Sequence, residues 1–185
     1  MEPHFSLSYS EYSVIAELTE HLKKSEGVSC YIPVSRQEKG IDFILRNSKS
    51  GKQLSFQVKS SKPHSHSNLS ETWDTFFFKN FIESYKAGIR VDYYMIFGVY
   101  PLYQKQTGIS SKTEHWKTMI LCFNNREMGR ILESIKTRKG KRDHFFYITR
   151  YASHQFFITR GLPKELNITK HLLEKKIPEL RKRIS

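Results

Sequence analysis

Cysteine is scarce: the 185 residues contain two, Cys30 and Cys122. Two cysteines cannot build the disulfide framework of a small secreted scaffold, and this pair matches no metal-ligand spacing. Long apolar runs are also missing. The longest charge-free apolar stretch, Tyr93 to Tyr103, falls far short of the ~20 residues of a membrane span. The start, Met1-Glu-Pro-His-Phe5, has no basic flank leading into an apolar core, which reads against a secretory signal. No GxxxxGK[ST] phosphate loop is present, so a P-loop ATPase is excluded. Ser60 and Ser61 lack the G-x-S-x-G frame of a nucleophile elbow. No repeat and no low-complexity tract appears. These absences predict a soluble, cytoplasmic protein of a reducing compartment with no membrane partner.

Acidic residues are few against the basic ones: 18 Asp and Glu face 31 Lys and Arg, for a net charge of +13. The excess is localised. Residues 136–150 hold six Lys or Arg and one Asp, and residues 160–185 hold eight against three Glu. A concentrated basic surface suits a polyanion, most simply nucleic acid. A solvated basic surface with no partner is the alternative. Apolar residues at 38% and aromatics at 14% predict one globular domain with a real core.

Val14, Ile15, Leu18 and Leu22 recur at helical spacing, predicting an amphipathic helix over 8–24 with Ser10 as N-cap and Gly27 as its stop. Glu11 is set to run along the buried stripe. A short strand is expected over 29–34, then a hairpin of 41–46 and 54–60 about the Asn47–Lys52 turn. Pro63 to Asn68 reads as a polar loop and 75–87 as a helix. The apolar stretch 91–99 reads as a buried central strand. A strand over 117–123 precedes a helix over 126–136 capped by Asn124 or Asn125. Strands follow over 144–151 and 155–159, and then a final basic helix opened by Asn167 or Thr169. The order predicts an α/β single domain over 1–185, with one mixed central sheet flanked by helices. Its core would span about 8–123, with a basic C-terminal part over about 136–185.

In the hairpin, Leu54, Phe56 and Val58 share one face and Ser55, Gln57 and Lys59 the other. Asp42 can come beside the second set, and the preceding helix is expected to bring Glu11 to the same place. Carboxylates and amide carbonyls are hard oxygen donors that suit Mg²⁺ or Mn²⁺. A metal there would activate water and offset charge on a phosphate, and Lys59 would hold the water or neutralise the phosphate.

Gly40-Ile41-Asp42, then 14 residues, then Gln57-Val58-Lys59-Ser60-Ser61, after a helix bearing Glu11, resembles the PD-(D/E)xK nuclease superfamily. That is the restriction endonuclease-like fold, which Holliday-junction resolvases share. The likeness is greatest to bacterial members with G-I-D and Q-V-K-S-S cores, and it covers residues 8–61. It implies a metal-dependent endonuclease using Mg²⁺, with Mn²⁺ as a substitute, and DNA preferred over RNA. It implies Asp42, Gln57, the Val58 carbonyl and Glu11 as metal ligands, and Lys59 as the motif lysine. Many members act as homodimers, because one site cuts one strand. Two departures stand out: Ile41 replaces the motif proline, and Gln57 replaces the second acid and so removes one negative charge.

Plainer readings stand beside these. Asp42 can be a solvated residue next to the Gly40 turn, and Gln57 with Lys59 the outer face of an ordinary strand. Glu11 can serve the helix dipole, worth roughly 0.3–1 kcal/mol. His64 and His66 read as a polar loop, and Phe76, Phe77, Phe78, Phe81 and Tyr85 as core. Phosphate contacts are expected from Arg138, Lys139, Lys141 and Arg142, and from the helix over 170–183. Arg142 and Arg150 flank the aromatic strand Phe145-Phe-Tyr147, which can grip a nucleic-acid backbone. Two further function classes stay open: a non-catalytic nucleic-acid-binding module on the same fold, and a protein-interaction subunit of a defence or toxin–antitoxin system.

Overall fold

The computed structural model describes residues 8–33, 40–61, 63–65, 73–77, 85, 88, 91–102, 115–135, 146–151 and 153–185. The first helix, α1 (Tyr9–His21), is started by Ser8, whose side chain accepts from the Glu11 N–H while the Glu11 carboxylate accepts from the Ser8 N–H. This reciprocal cap satisfies two orphan donors, and it makes Ser8 the N-cap in place of Ser10. The chain leaves α1 through Gly27, at φ +91°, into β1 (Val28–Tyr31). A side chain at Gly27 would meet Asn47 Oδ1 and Lys49 Cγ at 2.9 Å, so only glycine fits. The Asn47 amide oxygen is busy accepting from the Lys49 and Ser50 N–H groups, which shapes the turn from β2 (Phe43–Asn47) to β3 (Gln53–Ser60).

Two sheets form. β6 (Tyr93–Leu102) runs parallel to β3 and antiparallel to β7 (His115–Asn124), giving a mixed sheet of order β1-β2-β3-β6-β7. The second sheet is antiparallel, order β10-β9-β8-β5-β4. It is built from β4 (Pro63–Ser65), β5 (Trp73–Phe77), β8 (Phe146–Arg150), β9 (Phe156–Arg160) and β10 (Leu166–Asn167). The expectation of a single sheet is thereby corrected, as are a helix at 75–77 and a loop at 63–65. The aromatic run of β5 satisfies its backbone groups on β8. Of the rest of the expected helix, Tyr85 is helical, and residues 78–84, 86 and 87 lie outside the described residues.

The mixed sheet is buried on both faces. On one, Leu54, Phe56, Val58, Tyr93, Met95 and Cys122 are covered by Val14, Leu18 and Leu22 of α1. The same face takes Leu173, Ile177, Leu180 and Ile184 of the last helix, α3 (Leu173–Ile184). On the other, Tyr94, Ile96, Leu121 and Phe123 meet α2 (Asn125–Ser134) together with Phe146, Ile148, Phe156 and Ile158 of the second sheet. With cores on both sides, β6 buries Tyr93 through Phe97 without a break, the pattern expected of a central parallel strand. The two cores share the mixed sheet as a wall, so the chain is one domain. α3 belongs to that core and is no detachable basic tail.

A polar network pins α3 to the end of β7. Lys176 Nζ donates to Glu127 Oε1 at 2.8 Å and to Glu179 Oε2 at 2.7 Å. Burial opposes its charge, but the two carboxylates prevail and hold it above the usual lysine range. His171, stacked on Phe123 at 4.3 Å, leaves its buried Nδ1 without a hydrogen-bond partner. Burial lowers its pKa below the ordinary 6.5, against the pull of Glu127 and of the Cys122 backbone and with the push of Lys176 and Lys170. The native state therefore binds this proton less readily than the unfolded chain does. Its stability contribution is full above pH 6.5 and is lost as pH falls from there through the folded value. Urea midpoints should fall between about pH 7.5 and 5.5, and His171→Gln should flatten that fall. An unchanged slope in the variant would assign the pH dependence to another group.

Candidate active site

β2 begins at Phe43, whose register partner is Phe56. Asp42, just before it, donates its N–H to the Phe56 carbonyl at 2.9 Å. Its carboxylate reaches on along β3 and accepts the Val58 N–H at 2.6 Å. Asp42 thus does with its side chain what a longer β2 would do with backbone. Groups two residues apart on a strand point the same way. The Phe56 carbonyl faces β2, so the Val58 carbonyl faces the edge that Asp42 occupies.

Gln57 and Lys59 lie on the opposite face of β3 from Phe56 and Val58, at register with Tyr94 and Ile96 of β6. Gln57 is buried and Lys59 half-buried. Burial pulls the Lys59 ammonium below the usual lysine range, and the Asp42 charge pulls it back up. Asp42 therefore interacts with both Val58 and Lys59 at the end of β3.

Glu11 arrives differently from the expectation. The α1 stripe is Ser10, Val14 and Leu18, which leaves Glu11 one position off it and partly buried. Because that stripe covers Phe56 and Val58, α1 sits on the opposite face from Gln57 and Lys59. Its N-terminus still lies at the same end of β3: the Tyr9 ring meets Phe97 edge-on at 5.9 Å, and Phe97 pairs with Ser60. Glu11 holds the plainer role in the Ser8 cap at that end of the sheet.

Among the described residues, no group of three His, Cys, Asp or Glu is placed to hold a metal ion. Among the described residues, the oxygens carried by the β3 end and its Asp42 neighbour are the Asp42 carboxylate, the Gln57 amide and the Val58 carbonyl, with the Glu11 carboxylate held in the Ser8 cap. A hard divalent cation accepts such a set, with water filling the remaining positions.

Other expected residues fall elsewhere. Arg138, Lys139, Lys141 and Arg142 lie outside the described residues. Arg150 is no surface phosphate contact: it is 4% exposed. Its guanidinium lies 4.5 Å over the Tyr100 ring and 2.7 Å from His154 Nδ1. It has the parity of Phe146 and Ile148, both buried. Sequence reasoning passed over Asp92, whose carboxylate accepts both the Ser55 N–H at 2.8 Å and the Ser55 hydroxyl at 2.9 Å. It fastens the start of β3 to β6. Asp92 also lines a cleft of about 490 Å³ with Ser55, Val91, Asn124, Asn125, Arg126 and Arg183. That cleft is at the other end of β3 from Lys59. No helix among the described residues is long and apolar enough to cross a membrane. Both cysteines are free, and burial pushes the Cys30 thiol up to about 11.

No protein-family model, curated protein or solved structure matches the chain.

Proposed function

We propose that this chain is a metal-dependent nuclease with a restriction endonuclease-like core, hydrolysing phosphodiester bonds with DNA as the preferred substrate. One observation carries the reading. Asp42 reaches across to the Gln57-Val58-Lys59 strand, accepts the Val58 N–H, and acts on a lysine whose charge is already weakened by burial. Two residues 17 apart in sequence thereby share one strand end, as the resemblance to PD-(D/E)xK nucleases requires.

Asp42, the Gln57 amide and the Val58 carbonyl would hold Mg²⁺ or Mn²⁺, with Glu11 at the same end of the sheet. Bound there, the cation supplies Lewis acidity toward water and phosphate. Lys59, destabilised as an ammonium, is suited to give up or share a proton with water, or to bind a phosphate oxygen that restores its lost solvation. The basic excess of residues 136–185 would bind the nucleic-acid backbone.

The alternative, a binding module without catalysis, draws on the shortage of carboxylates: no three-acid group is found among the described residues. Cleavage of supercoiled plasmid and of single-stranded DNA with Mg²⁺ or Mn²⁺, against EDTA, separates the two. The nuclease reading expects metal-dependent cutting that Lys59→Ala reduces by about 100-fold or more. Cutting that persists in EDTA, or that survives Lys59→Ala, defeats it. Salt-sensitive binding without cutting gives the binding module.

A further inference from the structure

The cleft of about 490 Å³ at the start of β3 is lined by two arginines from different elements. Arg126 stands in the first turn of α2 and Arg183 in the last turn of α3. α2 and α3 pack on opposite faces of the mixed sheet, so the two arginines meet the cleft from either side of the sheet end. Arg183 is placed there by Tyr93, whose ring lies 5.5 Å from its guanidinium. Its neighbour Arg181 is spent on Glu26 at 3.6 Å and on the His21 carbonyl. Among the described residues, neither Arg126 nor Arg183 pairs with a carboxylate. The acids nearby are engaged elsewhere. Glu179 accepts from Lys176, Tyr93 and Asn124, and Glu127 from Lys176 and the Asn124 N–H. Asp92 lines the cleft itself, and its Oδ2 already accepts two bonds from Ser55.

Two like charges facing one concavity repel each other, and an anion that bridges them relieves the repulsion. A phosphate monoester carries up to about two negative charges and presents oxygens that match the guanidinium fork. The first turn of α2 adds the positive end of its dipole on the same side as Arg126. The volume exceeds what a bare ion needs and falls in the range of small-molecule sites, about 300–1,000 Å³. We infer that this cleft is a second ligand site, which binds the phosphate of a nucleotide between Arg126 and Arg183. Ser55 and Lys59 are four residues apart on β3, roughly 13 Å by the strand rise, so one phosphate does not serve both ends. The site therefore stands apart from the nuclease reading. A free nucleotide and a nucleic-acid strand both offer this phosphate, and experiment separates the two sources.

Calorimetric titration of the full chain with adenosine 5′-monophosphate, adenosine and oligo-dT tests it. EDTA and fixed ionic strength keep metal-bridged binding at Asp42 out of the readout. A phosphate-bearing ligand should bind and adenosine should not. Arg126→Ala and Arg183→Ala should each weaken that binding about tenfold. Arg130→Ala, one turn on in α2, exposed and outside the lining, should change it by less than about twofold. Asp92→Asn keeps an oxygen for Ser55 and removes the negative charge, so it should strengthen binding by about threefold. A gain there is an effect that disturbed packing does not produce. Binding of the monophosphate assigns a free nucleotide, and the same arginine losses on oligo-dT alone assign a strand. Either result upholds the site. It is overturned by adenosine binding equally well, by no binding of either phosphate ligand, or by no loss in Arg126→Ala and Arg183→Ala. A loss in Arg130→Ala equal to theirs, or weaker binding in Asp92→Asn, overturns it too. Each of these failures leaves the Asp42–Lys59 reading to its own cleavage test.

Discussion

Asp42→Asn should cut metal-dependent cleavage by more than about 100-fold while leaving the fold in place. The magnitude is set by comparison with partners one layer out from a metal, whose loss alone costs about 10–100-fold. The reasoning separates two jobs that Asp42 holds. As a structural acceptor it takes the Val58 N–H at 2.6 Å, and an asparagine oxygen can take it too. As a charge it raises the Lys59 pKa against the effect of burial and would add a negative ligand to the cation, and asparagine, with a neutral amide oxygen, supplies no charge to either. The variant should therefore melt close to wild type, and its residual activity should titrate at lower pH than the wild-type lysine. Asp42→Ala adds an unsatisfied Val58 N–H, costing about 1–3 kcal/mol, so the two variants should differ in stability and agree in lost activity. An asparagine variant that still cuts would return Asp42 to a purely structural role.

Phe56→Ala should lower the free energy of unfolding by about 3–5 kcal/mol, a large share of what a domain of this size has. Phe56 is fully buried. It stacks on Phe43 at 4.7 Å with rings 5° from parallel, and on Tyr93 at 5.7 Å. It thus holds three adjacent strands together under α1, and truncation leaves a cavity that none of the three can fill without shifting register. Leu166→Ala, at a side chain 41% exposed, is the control and should stay within about 0.5 kcal/mol. Urea unfolding of both reads the difference. If the two variants lie within error of each other, the weight placed on this stack is misplaced.

The elements that were legible in the sequence are those whose pattern admits one period. Val14, Leu18 and Leu22 fit only a helix, and Leu54, Phe56 and Val58 only a strand with one buried face. Asn124 is the N-cap of α2, with Glu127 three residues on completing the cap, and β8 pairs with β9 as a hairpin. The second sheet was not legible because its strands are short, and β5, Trp73–Phe77, is an aromatic run that suits helix or strand alike until β8 is there to pair with it. Of the site, the strand parity that joins Asp42 to the Gln57–Lys59 segment could be read. The side from which α1 approaches could not, because a stripe specifies that a helix is covered and not which face of a sheet covers it. Arg150 was misread although its spacing from Phe146 and Ile148 carried the signal, since charge was weighed above parity.

The packing of α3 bears on how the molecule is made. Ser50 donates its hydroxyl to the Ile184 carbonyl across 134 residues of chain, and Arg181 donates to the His21 carbonyl. The part of one face of the mixed sheet that α1 does not cover stays open until α3 has been synthesised. Folding on the ribosome, which proceeds from the N-terminus, can then form the first hairpin but cannot seal it. High sequence separation of this kind also slows the folding search. A chain built this way completes the core beneath β3 only after synthesis has carried past the Lys59 strand to the last helix.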